Sequence, residues 1–109
     1  MKFFISTDLE GVATITGSAG QGLNKDCKQY ELARKILTQE TNAAIDGLLS
    51  AGDVEIIVED GHGDGTSNLI YDELRRGVKI LSGVPRPRRL TPVDESFAGV
   101  LLIGFHPMA

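Results

Sequence analysis

Apolar residues in this chain fall into several short dense runs and one long spaced stripe, and most of the runs stop abruptly at glycine or at an acidic residue. Lys2 to Thr7 is short, aromatic and β-branched, which predicts a strand buried on both faces. From about Lys28 to Ser50, Ala33, Leu37, Ala44 and Leu48, joined by Ile36, Ile45 and Leu49, recur at helical spacing and form a single apolar stripe. Asn24 or Asp26 is available to cap that helix, and Gly52 stands just past its end as a C-terminal cap glycine. Val54 to Glu59 predicts a second buried strand, Leu69 to Arg75 a short helix, Val78 to Leu81 a third strand, and the almost purely aliphatic Gly99 to Gly104 a fourth. Between these elements, Gly11 to Gly22 holds four glycines in twelve positions and reads as a flexible flap. It lacks the Gly-Lys-Ser/Thr ending of a nucleotide loop and the glycine order of a dinucleotide fingerprint. Val84 to Leu90 contains Pro85 and Pro87 and predicts a surface loop with Arg86, Arg88 and Arg89 solvated.

Strands alternating with helices and loops, each strand apolar along its length, predict an α/β fold: a mainly parallel sheet flanked by helices in three layers. Right-handed crossovers place the carboxyl ends of all strands on one edge, and that edge is where open α/β sheets bind ligands. The polar residues that end the runs therefore gather on one rim.

Size and charge narrow the classes. A chain of 109 residues makes one domain with a modest core. Its net charge is -4, and its 11 basic residues are not collected into a face that would track a phosphate backbone, so nucleic acid is not an expected partner. No apolar run reaches the length of a membrane span, and the first residues lack the basic start and apolar centre of a secretory signal. A single cysteine, Cys27, leaves no internal disulfide and suits a reducing compartment. A cytoplasmic protein is expected.

The candidate chemistry sits on the rim. Asp8 and Glu10 follow the first strand at i and i+2, so in extended chain they point the same way, a costly pairing of like charges unless a cation lies between them. Asp60 and His62 follow the second strand, and His106 follows the fourth. Taken singly, Asp8 reads as a turn cap, Glu10 as an exposed acid and His62 as a loop residue. Asp60 and Asp64 fit turn-holding or supporting roles. The chain has only two histidines, however, and both come immediately after an apolar strand. Asp8, Glu10, His62 and His106 are accordingly the candidate metal ligands, and a mixed carboxylate and imidazole set suits zinc or a similar first-row ion better than magnesium or calcium. Asp8 is the natural bridge if two ions lie about 3.5 to 4 Å apart, an arrangement that recurs in hydrolytic enzymes.

Ser6-Thr7-Asp8-Leu9-Glu10-Gly11, Glu59-Asp60-Gly61-His62, Leu81-Ser82-Gly83 and Phe97 through His106 resemble, in order and spacing, the zinc-dependent D-aminopeptidases of the dipeptide-transport DppA type. The resemblance runs along essentially the whole chain. It implies a di-zinc aminopeptidase that releases N-terminal D-amino acids, notably D-alanine, from short peptides and assembles as a large ring-built homo-oligomer. It further implies that Asp8 bridges the zincs, that Glu10 and His62 complete one site, and that His106 serves the other. In the family a further glutamate ligand and the catalytic histidine lie beyond the position of residue 109, so no catalytic residue is assigned within this chain. The expectation is the N-terminal portion of a larger fold, with an incomplete site that binds at most one metal well and turns over poorly. Two other classes fit the same residues: a non-catalytic metal-binding or assembly module, and another metal-dependent hydrolase such as a phosphoesterase, which would need basic groups on the rim.

Overall fold

The computed structural model describes residues 1–13, 15, 25–26, 28–83 and 92–106. Four strands form one parallel sheet: β1 (Lys2–Thr7), β2 (Glu55–Asp60), β3 (Lys79–Leu81) and β4 (Gly99–Ile103), in the order β3-β2-β1-β4. β1 lies between β2 and β4, with Thr7 opposite Asp60 on one side and Ile103 on the other. Each strand lies within a residue of its expected bounds. The chain steps outward from β1 to β2 to β3 and then returns to the far side of β1, which makes the gap beyond the ends of β1 and β4 the topological switch point of the sheet.

The single α-helix among the described residues, α1 (Tyr30–Leu49), covers one face. Ala33, Leu37 and Ile45 of the predicted stripe are buried against Ile5, Ile56 and Val58, and Ile36, Ala44 and Leu48 pack at its margin, whereas Leu49 is exposed. The helix starts two residues later than expected. Gln29 is its N-cap and makes no side-chain cap bond, Asp26 lies in a preceding turn, and Asn24 is outside the described residues. Gly52 closes the other end with φ of +123°.

The predicted helix over 69–75 is reduced to one 3-10 turn, Tyr71–Glu73. Side chains from neighbouring elements pin the backbone of this segment instead, and one of the pinned groups, the Arg75 N–H, is one that a helix over 69–75 would use internally. Asp60 accepts from the Leu69 N–H, Thr38 from the Ile70 N–H, and Asn42 holds both the Glu73 carbonyl and the Arg75 N–H. Ile70 and Leu74 are extended in consequence. This also explains why Thr38 and Asn42 are buried beside the apolar stripe.

The start of the glycine-rich segment is not the expected flap. Val12 and Ile15 are core residues, reached by successive tight turns from Leu9, and the Ala13 N–H is bound by Glu40 of α1 at 3.0 Å. Apolar residues three apart outweigh the surrounding glycines there. The rest of that segment, and the Pro-rich loop with Arg86, Arg88 and Arg89, lie outside the described residues.

On the opposite face of the sheet Phe4 is fully buried and meets Phe97 edge to face at 5.9 Å, with the Lys2 ammonium 4.4 Å from the Phe97 ring centre. Glu59 is also fully buried and accepts from the Ser6 hydroxyl at 2.6 Å. Val100 and Leu102 of β4 are exposed.

Beyond the strand ends the turn after β1 and the turn after β4 cross in backbone contact. Asp8 N–H donates to the Ile103 carbonyl at 2.9 Å and Gly11 N–H to the Gly104 carbonyl at 2.8 Å. A Cβ on Gly11 would strike the Phe105 carbonyl, and one on Gly104, whose φ is +73°, would strike the Asp8 carbonyl. Gly104→Ala is therefore expected to cost more than about 4 kcal/mol, the range of severe structural defects. Gly77→Ala, at φ +88° with open space around it, should cost only the backbone strain of about 1–2 kcal/mol. Urea unfolding of both variants checks this, and equal losses would mean that the crossing is not tight.

Candidate metal centre

Asp8 leaves the buried end of β1 and is itself buried, 5% exposed. Its Oδ1 accepts from the Leu9 N–H at 2.8 Å and lies 2.8 Å from His62 Nδ1, while its Oδ2 lies 3.5 Å from His106 Nε2. Glu10 Oε1 stands 3.2 Å from the same His62 nitrogen. The four sequence candidates thus converge on the switch point from three different strand ends. Ligand atoms of Asp8, Glu10 and His106 all lie within 4.8 Å of one another, and His62 joins them through direct contacts with the two carboxylates.

Burial is the largest influence on Asp8 and pushes its pKa up, but the hydrogen bonds from His62, Glu10 and the Leu9 N–H, with the His62 charge, outweigh it and hold the carboxyl below its ordinary value. The group therefore stays ionised although it is withdrawn from water. A lowered carboxylate flanked by imidazole nitrogens is the donor chemistry of a zinc site: hard oxygen and borderline nitrogen in a compact set, with Asp8 presenting one oxygen to each side.

Asp60 and Asp64 do not join this set. Asp60 is fully buried on the α1 side and accepts from the Asn68 and Leu69 N–H groups, the Asn68 side-chain amide and the Tyr71 hydroxyl. Asp64 turns the chain, accepting from the backbone N–H and hydroxyl of Thr66, which lower its pKa, and it pairs with Lys25 at 3.5 Å. Asn68 joins Asp60 to the His62 carbonyl and to the Tyr30 hydroxyl, whose pKa is raised by burial so that it remains a donor. Asn68 escaped the sequence reading because an asparagine in a Ser-Asn-Leu stretch carries no spacing signal. Only the folded loop reveals its partners.

A family model described as D-aminopeptidase, Peptidase M55, matches residues 1–109. A D-aminopeptidase of Bacillus subtilis (strain 168) is 30% identical over 110 residues, covering 100% of this chain and 39% of the relative. Among solved structures, the chain superposes with a TM-score of 0.82 and 29% identity on the Zn-dependent D-aminopeptidase DppA from Bacillus subtilis, described as a self-compartmentalizing protease, again covering 100% of this chain and 39% of that one. The chain thus spans about two fifths of the length of the relatives it matches.

A carboxyl that ionises more readily in the folded than in the unfolded chain stabilises the fold above its unfolded value, here 3.8, and gives up that contribution as pH falls through the lower folded value. Chelator-treated wild-type chain should accordingly lose stability over this acid range more steeply than Asp8→Asn. Thermal unfolding across that range measures it, and matching acid limbs would contradict the shift.

Proposed function

The chain belongs to the Peptidase M55 family of D-aminopeptidases, and from that premise we propose that it carries the metal-binding part of an aminopeptidase that hydrolyses short peptides with N-terminal D-amino acids, such as D-alanine, through a di-zinc site. The observation that carries this reading is the division of Asp8: one oxygen toward His62, with Glu10 beside it, and the other toward His106. A carboxylate offered in two directions, between two imidazoles, suits a bridge between neighbouring ions.

In this reading Asp8, Glu10, His62 and His106 would hold zinc, which when bound supplies Lewis-acid activation of water and of the scissile carbonyl. The residues of the chain do the placing. The Leu9 N–H fixes the Asp8 carboxylate, the β1 and β4 turns set the distance between Asp8 and His106, and burial of Asp8 keeps bulk water from competing for its oxygens. The residue that moves the proton to the leaving amine is not among these four. A phosphoesterase reading asks for basic groups at the rim. The described rim contacts are carboxylates and imidazoles, which favours the peptidase.

The self-compartmentalizing description of the relative supports a homo-oligomer here as well, enclosing a site that short peptides reach. Cytoplasmic residence is part of the same proposal. No helix among the described residues is long and apolar enough to cross a membrane.

The purified chain should take up zinc, and Asp8→Ala should lower its affinity by at least about 100-fold, the upper range seen for groups that merely support a ligand. Any amide release by the chain should be slow, selective for D-alanyl over L-alanyl substrates and abolished by chelation. Isothermal titration with zinc and a paired D/L amide assay measure both. Equal zinc uptake by wild type and Asp8→Ala, or preferential cleavage of phosphoesters, would overturn the proposal.

A further inference from the structure

Asn68 is 2% exposed, and both polar atoms of its side chain are engaged. The side-chain amide nitrogen spends one hydrogen on Asp60 Oδ1 at 2.7 Å and the other on the His62 carbonyl at 2.6 Å. With both donors committed to acceptors, the orientation of the carboxamide is fixed, and its oxygen receives the Tyr30 hydroxyl at 2.8 Å. The backbone N–H of the same residue donates to Asp60 Oδ2 at 3.0 Å. Asn68 therefore links three elements: β2 through Asp60, α1 through Tyr30, and the loop that carries His62.

We propose that Asn68 is the positioning residue for His62, clamping its backbone so that the imidazole reaches Asp8 and Glu10. The proposal rests on the reading of His62 as a ligand in the proposed function. The His62 carbonyl has two donors, Asn68 from one segment and the Gly65 N–H from its own turn at 2.9 Å. The turn bond alone closes a local loop and says nothing about where that loop sits. The Asn68 bond ties it to the sheet end and the helix. His62 lies in a stretch with glycines at 61, 63 and 65, with positive φ at Gly63 and Gly65, so the intrinsic freedom of the backbone is large and an external clamp is what limits it. With the backbone pinned at the carbonyl, the side chain needs only its own rotamer to bring Nδ1 to 2.8 Å from Asp8 and 3.2 Å from Glu10.

Asn42 provides a matched control. It is also a buried asparagine that clasps loop backbone, at the Glu73 carbonyl and the Arg75 N–H, and none of these contacts involves the rim. Loss of either carboxamide strips buried hydrogen bonds, so both alanine variants are expected to be destabilised. Only loss of Asn68 should disturb His62.

The experiment compares Asn68→Ala, Asn68→Ser and Asn42→Ala, the serine variant keeping one donor for Asp60 and none that reaches His62. In the chelator-treated chain, the His62 ring resonances in nitrogen-detected NMR should shift in both Asn68 variants and stay in place in Asn42→Ala. In zinc titrations, the dissociation constant should rise about 10- to 100-fold for the Asn68 variants and remain at the wild-type value for Asn42→Ala. Unmoved His62 resonances in a folded Asn68 variant, or equal effects of the Asn68 and Asn42 variants on resonances and affinity, would overturn the proposal. If Asn68→Ala does not fold, Asn68→Ser decides it. A wild-type chain that takes up no zinc would sink the proposed function, while the metal-free resonances would still decide whether Asn68 places His62.

Discussion

Where β1 and β4 end, two turns cross with their backbones in contact, and the two crossing positions, Gly11 and Gly104, have no room for a side chain. Two bonds hold the crossing, both donated by the turn after β1: Asp8 N–H to the Ile103 carbonyl and Gly11 N–H to the Gly104 carbonyl. The approach of His106 to Asp8 depends on that contact. Asp8 is a continuation of β1 and His106 of β4, and only with the turns interlocked does an imidazole that is half-exposed come within 3.5 Å of a carboxylate that is buried. A parallel sheet brings its strand ends to one edge, but the edge is wide. The glycine crossing narrows it until atoms of Asp8, Glu10 and His106 lie within 4.8 Å of one another.

The second determinant is electrostatic. Asp8 carries the cost of desolvation at the buried end of the sheet, with Glu10 beside it. His62 contacts both and lowers the Asp8 pKa, and the Leu9 N–H adds a fixed dipole on Asp8. Deeper in the same strands buried acids are met by donors: Glu59 is fully buried with the Ser6 hydroxyl as a donor, and Asp60 accepts from a fan of N–H and O–H groups. Adjacent acids on β2 thus point to opposite faces and are satisfied by local donors, which leaves the rim as the place where charge is offered outward.

Much of this was legible in the sequence. The dense apolar runs gave the four strands within a residue of their ends, although only β1 and the end of β2 are buried, while β3 and β4 at the sheet edges are partly exposed. The convergence of Asp8, Glu10, His62 and His106 followed from the rule that parallel strands finish together. What was not legible came from side chains acting on distant backbone. Thr38 and Asn42, within the helical stripe, look like surface positions until their hold on residues 70 to 75 is seen. That hold is also why a plausible helix became a single turn. Val12 and Ile15 were masked by the glycines around them, and Asn68 lies eight positions from Asp60 with nothing in composition to join the two.

The placement of β1 at the centre of the sheet has a consequence for how such a rim comes into being. Between it and its partner β2 the described residues form one helix, but its other partner, β4, lies far along the chain, with Phe3 opposite Gly99. Contacts of such long range are slow to form, since the intervening polypeptide must be ordered or looped out first. During synthesis on the ribosome, the acidic residues near the N-terminus emerge well before the histidine that will face them. For that interval Asp8 and Glu10 lack the imidazole of His106, and their carboxylates stay open to solvent and to whatever cations the surroundings provide.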